Sequence, residues 1–112
     1  MSLARVRLHA AFRRDFRAQL SWLAEHDRTE WIHNLAPAVE EVAALLSRFP
    51  EAGPVQARSP QLVLRKLIFR RLPFVAWYGH RPRRPVRTIW LLRMFGARQD
   101  RPLPDPNDWA LE

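Results

Sequence analysis

The sequence predicts an α+β domain in two layers, with a helical hairpin packed on an antiparallel β-sheet of about four strands. Apolar and polar residues alternate near the N-terminus, and apolar residues then recur every three or four positions up to residue 49. After Pro60 the chain becomes rich in branched and aromatic residues, in segments of strand length. The predicted order of elements is β-α-α-β-β-β, which separates the helices from most of the strands, as in two-layer α+β domains.

The first two elements are predicted by a change of period at residue 10. Residues 4–9 read ARVRLH, which places Val6 and Leu8 on one face of a short, half-buried strand. From Ala10 to about Glu25 the apolar residues follow helical spacing. The predicted apolar stripe of this helix consists of Phe12, Phe16, Leu20 and Leu23.

A second helix is predicted from Thr29, whose hydroxyl is expected to cap it. Its apolar stripe recurs at steps of three and four: Ile32, Leu35, Val39, Val42, Leu46 and Phe49. Pro37 removes one helical hydrogen bond, so we expect either a kink or two short consecutive helices. The acidic side chains of Asp15, Glu40 and Glu41 are interpreted as solvated helix positions.

The second half of the chain is predicted to form three strands. Residues 49–54 (FPEAGP) end the helix, and the chain up to Pro60 is predicted to be a connector. The strands are Leu62–Phe69, Leu72–Tyr78 and Val86–Phe95, and the loop GHRPRRP makes the last two a hairpin with a basic tip. Because LPFVAWY is apolar on both faces, it is expected to be central and covered. Residues 1–100 are predicted to be one domain, and residues 101–112 a proline-rich extended tail.

The positive charge is concentrated in the second half of the domain. The net charge is +8, residues 52–99 contain eleven basic residues and no acid, and residues 100–112 contain four acids. Such a region attracts phosphate backbones or acidic protein surfaces. A GC-rich genome is the alternative explanation, since 18 of the 19 basic residues are arginine.

Several classes of protein and site are disfavoured by composition. The chain contains no cysteine, which excludes disulfides and thiolate metal sites, and no apolar run approaches the roughly 18 residues of a membrane span. His9, His26 and His33 fall on different predicted elements without the i, i+4 spacing of a zinc site. We therefore expect a cytoplasmic protein with no cofactor, no metal and no membrane partner.

Four segments carry a resemblance to a known family: WLAEHD, AVEEVAALLSRFPEAGP, LRKLIFRRLPFVAWY and RTIWLLRMFGARQD. In this order, after a helix that begins at Ala10, they resemble the ParE/RelE superfamily of toxins from type II toxin–antitoxin systems, and the ParE-like members more closely. The resemblance extends from Val6 to about Asp100. It implies a curved antiparallel sheet backed by a helical hairpin, and a cognate antitoxin as partner. It also implies one of two activities, inhibition of DNA gyrase (ParE-like) or ribosome-dependent cleavage of mRNA (RelE-like).

The RelE-like activity requires a base, an acid and cations at the scissile phosphate. The candidate cations, expected to line one sheet face, are Arg65, Lys66, Arg70, Arg93 and Arg98. RelE-like nucleases carry a tyrosine or histidine near the last strand, where this chain has Phe95. The remaining candidates for proton transfer are Tyr78, interpreted as a strand-end residue with its hydroxyl in water, and His80, interpreted as a loop residue.

The sequence therefore favours a ParE-like inhibitor of gyrase over an enzyme. Binding to gyrase or to the antitoxin is expected to use arginine and tryptophan, which dominate interface energetics. The candidates are Arg70, Arg71, Arg81, Arg83, Arg84 and Trp109. Trp109 could instead fold back to shield apolar surface of its own domain. The mRNA endoribonuclease and a non-toxic basic nucleic-acid-binding domain remain the alternative functions.

Overall fold

A computed structural model describes residues 3–97 as a five-stranded sheet with two helices. The elements are β1 Arg5–Leu8, α1 Ala10–Glu25, α2 Thr29–Arg48, β2 Val55–Arg58, β3 Val63–Ile68, β4 Phe74–His80 and β5 Thr88–Gly96. The strand order across the sheet is β1-β5-β4-β3-β2. The predicted α+β class is confirmed, with one strand more than the four expected.

The sheet is mixed, so the prediction of a purely antiparallel sheet is wrong at one edge. β1 pairs in parallel with β5, from Arg5 opposite Thr88 to Leu8 opposite Leu91. The start of β1 is also tied to the end of α2, because Ala4 N donates to Ser47 O (2.9 Å) and Ser47 Oγ donates to Ala4 O (2.7 Å). The helical hairpin thus brings the chain back to the start of β1. β5 then lies alongside β1.

α1 begins at Ala10 as the sequence predicts, whereas the predicted cap of α2 does not form. His9 caps α1 through its Nδ1, which accepts from Ala11 N at 3.1 Å. The prediction that Thr29 caps α2 is wrong, because Thr29 is the first helical residue and Arg28 is the N-cap without a side-chain bond. α2 continues through the exposed Pro37 as one helix, so a division into two helices does not occur. No helix within residues 3–97 is long and apolar enough to span a membrane.

The connector predicted between residues 50 and 60 contains the additional strand, β2. It pairs antiparallel with β3, with Ala57 opposite Leu64 and Arg58 opposite Val63, and the register shifts between Val55 and Ala57. A four-residue edge strand flanked by prolines gives too short an alternation to be recognised in the sequence. The last three predicted strands are present, with every bound shifted by one or two residues.

β4 is the central strand, as predicted, and all seven of its residues are buried. Alternate side chains divide between two apolar clusters. The inner face of the sheet packs Ala76 and Tyr78 against residues of α1 and α2 such as Phe12 and Leu35. The cluster on the opposite, outer face consists of strand residues: Leu64, Val75, Trp77, Trp90, Leu92 and Phe95.

Candidate functional site

Arg65 of β3 lies buried on the inner face with only 7% of its surface exposed. Its Nε donates to His80 Nε2 at 3.0 Å, and its Nη1 donates to the carbonyl oxygens of Gly53 (2.8 Å) and Glu51 (3.2 Å). Its Nη2 contacts the Glu51 carboxylate at 3.3 Å. A buried guanidinium is tolerated when its donors are bonded, and these bonds attach it to the chain between α2 and β2.

His80 accepts the bond from Arg65 and is therefore neutral. Its Nδ1 lies 2.7 Å from Arg81 O, and because a carbonyl oxygen only accepts, Nδ1 carries the proton and Nε2 is the acceptor. Burial lowers the pKa of His80, and the Arg65 charge lowers it further, against the opposing effect of the bond to Arg81 O. The interpretation of His80 as a loop residue is wrong, because it is the last residue of β4 and is 3% exposed.

The Tyr78 hydroxyl is also fully engaged. It accepts from Gly53 N at 2.8 Å and donates to Pro50 O at 3.1 Å, and the residue has no exposed surface. Burial raises the pKa of Tyr78. The expectation that this hydroxyl lies in water is wrong, because β4 is the centre of the sheet and the α2–β2 connector covers this end of its inner face.

These residues form one unit, which we call the connector clamp: Glu51, Arg65, Tyr78 and His80 around the backbone of residues 50–54. At Gly53 an added Cβ would overlap the carbonyl oxygen of Lys66 and contact the Tyr78 ring, so only glycine fits the close approach. The polar atoms of Tyr78 and His80 are bonded to backbone or to Arg65, so they are not free to take or give a proton to a substrate. The clamp thus stabilises a connector.

The predicted cations do not line one sheet face. Lys66 lies on the outer face, with its Nζ 5.9 Å from the centre of the Trp77 ring. Arg65 lies on the inner face within the clamp. Arg98 lies outside the described residues. Alternation along β3 separates the neighbouring cations, because successive side chains of a strand point to opposite faces.

Arg93 is bound to Asp15 of α1. Its Nε lies 2.7 Å from Asp15 Oδ2 and its Nη2 3.1 Å from Oδ1, while Met94 N donates to Oδ2 at 2.9 Å. The hydrogen bond to Asp15 raises the pKa of Arg93. The interpretation of Asp15 as a solvated position is therefore wrong, because its carboxylate joins α1 to β5. This pair is a structural contact and leaves the Arg93 side chain one-third exposed.

A groove of about 510 Å³ lies between α2 and the loop that joins β3 to β4. Two of its apolar side chains are notably exposed, Leu45 at 40% and Ile68 at 65%. Arg70 and Arg71, both predicted to bind a partner, line it from the loop and are exposed. The helix side of the groove is lined by Glu30, Trp31, Asn34, Pro37, Ala38, Glu41, Val42 and Leu45.

The loop that joins β4 to β5 contains three further predicted binding residues, all exposed: Arg81, Arg83 and Arg84. Arg84 Nη2 donates to Glu51 Oε1 at 2.9 Å, which links this loop to the connector clamp. A depression of about 460 Å³ lies beside the loop and is lined by Arg81, Arg83, Arg84, Pro85, Val86, Arg87, Thr88 and Trp90. Trp109 lies outside the described residues.

The aromatic residues of the outer face are buried. Trp77, Trp90 and Phe95 have 5%, 7% and 8% of their surface exposed, and the Trp77 and Phe95 rings lie 6.1 Å apart. Trp77 Nε1 has no hydrogen-bond partner within the part of the chain that the structure describes. Phe95, the position at which the resemblance led us to look for a histidine, is thus a packing residue, and the described part of the sheet presents no aromatic surface on which bases could stack.

The described residues contain no group of three or more histidine, aspartate or glutamate side chains placed to hold a metal ion. Comparison of the chain with other proteins finds no family model that matches it and no match among curated proteins.

Proposed function

We propose that this chain is the toxin of a type II toxin–antitoxin pair, ParE-like, that inhibits growth by binding DNA gyrase and is neutralised by a cognate antitoxin. The observation that carries the proposal is the burial and hydrogen bonding of the Tyr78 and His80 side chains. Both are buried, and their polar atoms are used by the fold. Arg70, Arg71 and Arg83 are exposed instead, and binding can rest on such residues without proton transfer.

The acid–base pair predicted for mRNA cleavage, Tyr78 and His80, has its polar atoms bonded within the connector clamp. Arginine cannot act as a base at neutral pH, since its pKa exceeds about 12. Arg65 is hydrogen-bonded within the connector clamp, and Arg93 is hydrogen-bonded to Asp15. Ribose attack requires a group that accepts the 2′-hydroxyl proton, and the candidate tyrosine and histidine are both occupied. A binding mode of inhibition needs no such group.

The groove between α2 and the β3–β4 loop is the surface that we assign to the antitoxin. Leu45 and Ile68 expose apolar surface there, and the two basic residues Arg70 and Arg71 lie at its loop side. A partner helix with an apolar face and acidic flanks fits both features, because such a face fills a groove while carboxylates pair with guanidinium groups. Glu30 and Glu41 line the α2 side of the groove, so a basic residue is favoured on the flank of the partner helix that faces α2.

The proposal is tested with the purified protein in two assays. One follows supercoiling of plasmid DNA by gyrase together with the accumulation of cleaved DNA complexes, and the other follows primer extension on a message under translation. We expect supercoiling to be inhibited while the message stays intact. If the message is cut and supercoiling is untouched, the proposed activity is wrong.

A control separates proton transfer from folding. Tyr78→Phe and His80→Gln are assayed below their unfolding temperatures, where the fold is retained. We expect inhibition of gyrase by both variants to equal that of the unsubstituted protein, because neither side chain contacts the target. If the unsubstituted protein cuts the message and a folded variant does not, these residues take part in chemistry and the nuclease is favoured.

The antitoxin surface is tested by co-expression with the reading frame next to the toxin gene. Ile68→Asp places a charge in the groove, whereas Arg48→Asp alters an exposed position at the end of α2 that does not line it. We expect Ile68→Asp to remain toxic when the neighbouring protein is present, and Arg48→Asp to be neutralised. Neutralisation of both variants would contradict the assignment of the groove.

A further inference from the structure

A second exposed basic surface lies at the opposite edge of the sheet from β2, where β1 pairs with β5. Arg5 of β1 is opposite Thr88 and Arg7 is opposite Trp90. Arg5 N also donates to Arg87 O at 2.8 Å, so the start of β1 lies against the end of the β4–β5 loop. The side chain between them, Val6, packs on the inner core, which places Arg5 and Arg7 at the edge of the outer face.

Trp90 connects two depressions along this edge. It lines the depression of about 460 Å³ beside Arg83 and Arg87, and also one of about 580 Å³ beside Arg7 and Arg13. We call the four exposed residues Arg5, Arg7, Arg83 and Arg87 the arginine strip. Neither depression is lined by an acidic residue.

Within the part of the chain that the structure describes, no acidic side chain pairs with the strip. Glu51 forms an ion pair with Arg84 of the β4–β5 loop, and the same carboxylate also binds Arg65. Exposed guanidinium groups bind phosphate in bidentate fashion and lower the free energy of the complex by releasing counterions.

The spacing and the burial of neighbouring rings define the ligand. Side chains two positions apart on a strand are about 6.6 Å apart, which is close to the rise of two nucleotides, about 3.4 Å each, along the axis of a DNA duplex. Single-stranded nucleic acid is bound by stacking of bases on exposed aromatic side chains. The ring beside the strip belongs to Trp90, of which only 7% is exposed. A base therefore cannot stack on it.

We propose that the arginine strip binds the phosphate backbone of double-stranded DNA without sequence preference. This inference does not rest on the proposed function, because it uses neither gyrase nor an antitoxin. If both are correct, the protein contacts the DNA duplex on which a topoisomerase acts as well as the enzyme itself. The strip and the groove lie on different parts of the molecule, since Arg83 and Arg70 occupy loops at opposite ends of β4.

The test is binding of the whole chain to a short fluorescent duplex of mixed sequence, followed by anisotropy over a series of salt concentrations. The double variant Arg5→Gln, Arg7→Gln removes two charges from the strip. The matched control, Arg70→Gln, Arg71→Gln, removes two exposed arginines from the loop at the other end of β4. Circular dichroism establishes that both variants are folded.

We expect the strip variant to bind duplex about tenfold more weakly at low salt, with a slope of log K against log salt smaller by about two. The control variant should lose less than about threefold in affinity, from the change in net charge alone. Arg83→Gln, Arg87→Gln is expected to match the strip variant. Three results would overturn the proposal: no binding of duplex at low salt, equal losses in the strip and control variants, or tighter binding of a single strand than of the duplex.

Discussion

Arg65 Nε donates a hydrogen bond to His80 Nε2 across 3.0 Å, between two buried side chains on adjacent strands. The bond requires a lone pair on Nε2, so it exists only while His80 is neutral. A proton added at Nε2 would set two cations against each other and end the bond. The stability of the connector clamp is therefore linked to the protonation of one imidazole.

The free energy of unfolding should fall as the pH is lowered below about 7. In the folded state the pKa of His80 lies below the ordinary value of about 6.5, chiefly because of burial, so the unfolded chain takes up this proton first. The stabilisation is complete above the pKa of the unfolded state, and it decreases as the pH falls through 6.5 towards the folded pKa. Urea unfolding between pH 8 and pH 5 measures the slope, which for one group is at most about 1.4 kcal/mol per pH unit.

Four charged residues lie near His80, each on a different segment of the chain: Glu51, Arg58, Arg65 and Arg81. The slope of the free energy of unfolding against pH should still depend on the His80 imidazole itself. His80→Gln is expected to flatten it between pH 7 and pH 5. His33→Gln, which replaces an exposed histidine of α2, is expected to retain it. An unchanged slope in His80→Gln would contradict the assignment.

Tyr78→Phe should lower the free energy of unfolding by about 1–3 kcal/mol, because Gly53 N would lose its buried acceptor. The ring remains, so the loss reports the hydroxyl alone. Urea unfolding at pH 8 keeps the contribution of His80 constant. A loss below about 0.3 kcal/mol would mean that water replaces the hydroxyl and that the connector is less tightly held than the distances indicate.

The pair of Asp15 and Arg93 should show a coupling energy of about 1–3 kcal/mol in a double-mutant cycle. Asp15→Ala alone removes the acceptor of both Arg93 and Met94 N, so it is expected to cost more than Arg93→Ala alone. The free energies of unfolding of both single variants and of the double variant give the coupling. Additive losses would show that the contact contributes nothing measurable.

Gly53→Ala and Gly79→Ala should differ in their effect on stability. At Gly53 the new methyl group meets the backbone carbonyl of Lys66, which cannot move without disturbing β3. At Gly79 it meets Leu62 Cδ1 at 2.5 Å, the end of a side chain that can change rotamer. We expect a loss of several kcal/mol for Gly53→Ala and about 1–2 kcal/mol for Gly79→Ala, compared by thermal unfolding. Equal losses would contradict this distinction.

The elements with a strong local period were predictable from the sequence. The spacing of Phe12, Phe16, Leu20 and Leu23 predicts α1 with its observed bounds, and LPFVAWY predicts a central strand covered on both faces. Both predictions depend on residues adjacent in sequence. β2 has only four residues, and β1 pairs with a strand almost at the other end of the described chain, so neither the fifth strand nor the parallel pairing has a local signal.

The connector clamp could not be predicted because it depends on register. Arg65 lies on the inner face opposite Tyr78 only through the pairing of β3 with β4, and a shift of one residue would bring Lys66 there instead. Likewise Asp15 and Arg93 meet only when α1 packs on β5. The sequence contains one indication of the clamp. The segment FPEAGP interrupts regular structure, so its backbone carbonyl groups require hydrogen-bond donors from elsewhere in the chain.

The parallel pairing of β1 with β5 also fixes when the sheet can be completed during synthesis. β1 leaves the ribosome first, yet β5, the strand with which it pairs, is the last described element to be made. Until β5 appears, β4 is an unprotected edge and the inner core lacks Ile89, Leu91 and Met94. Contacts of such large sequence separation form late and slow folding. The nascent chain therefore acquires its native surfaces, and any activity that depends on them, only after nearly all of the domain has emerged.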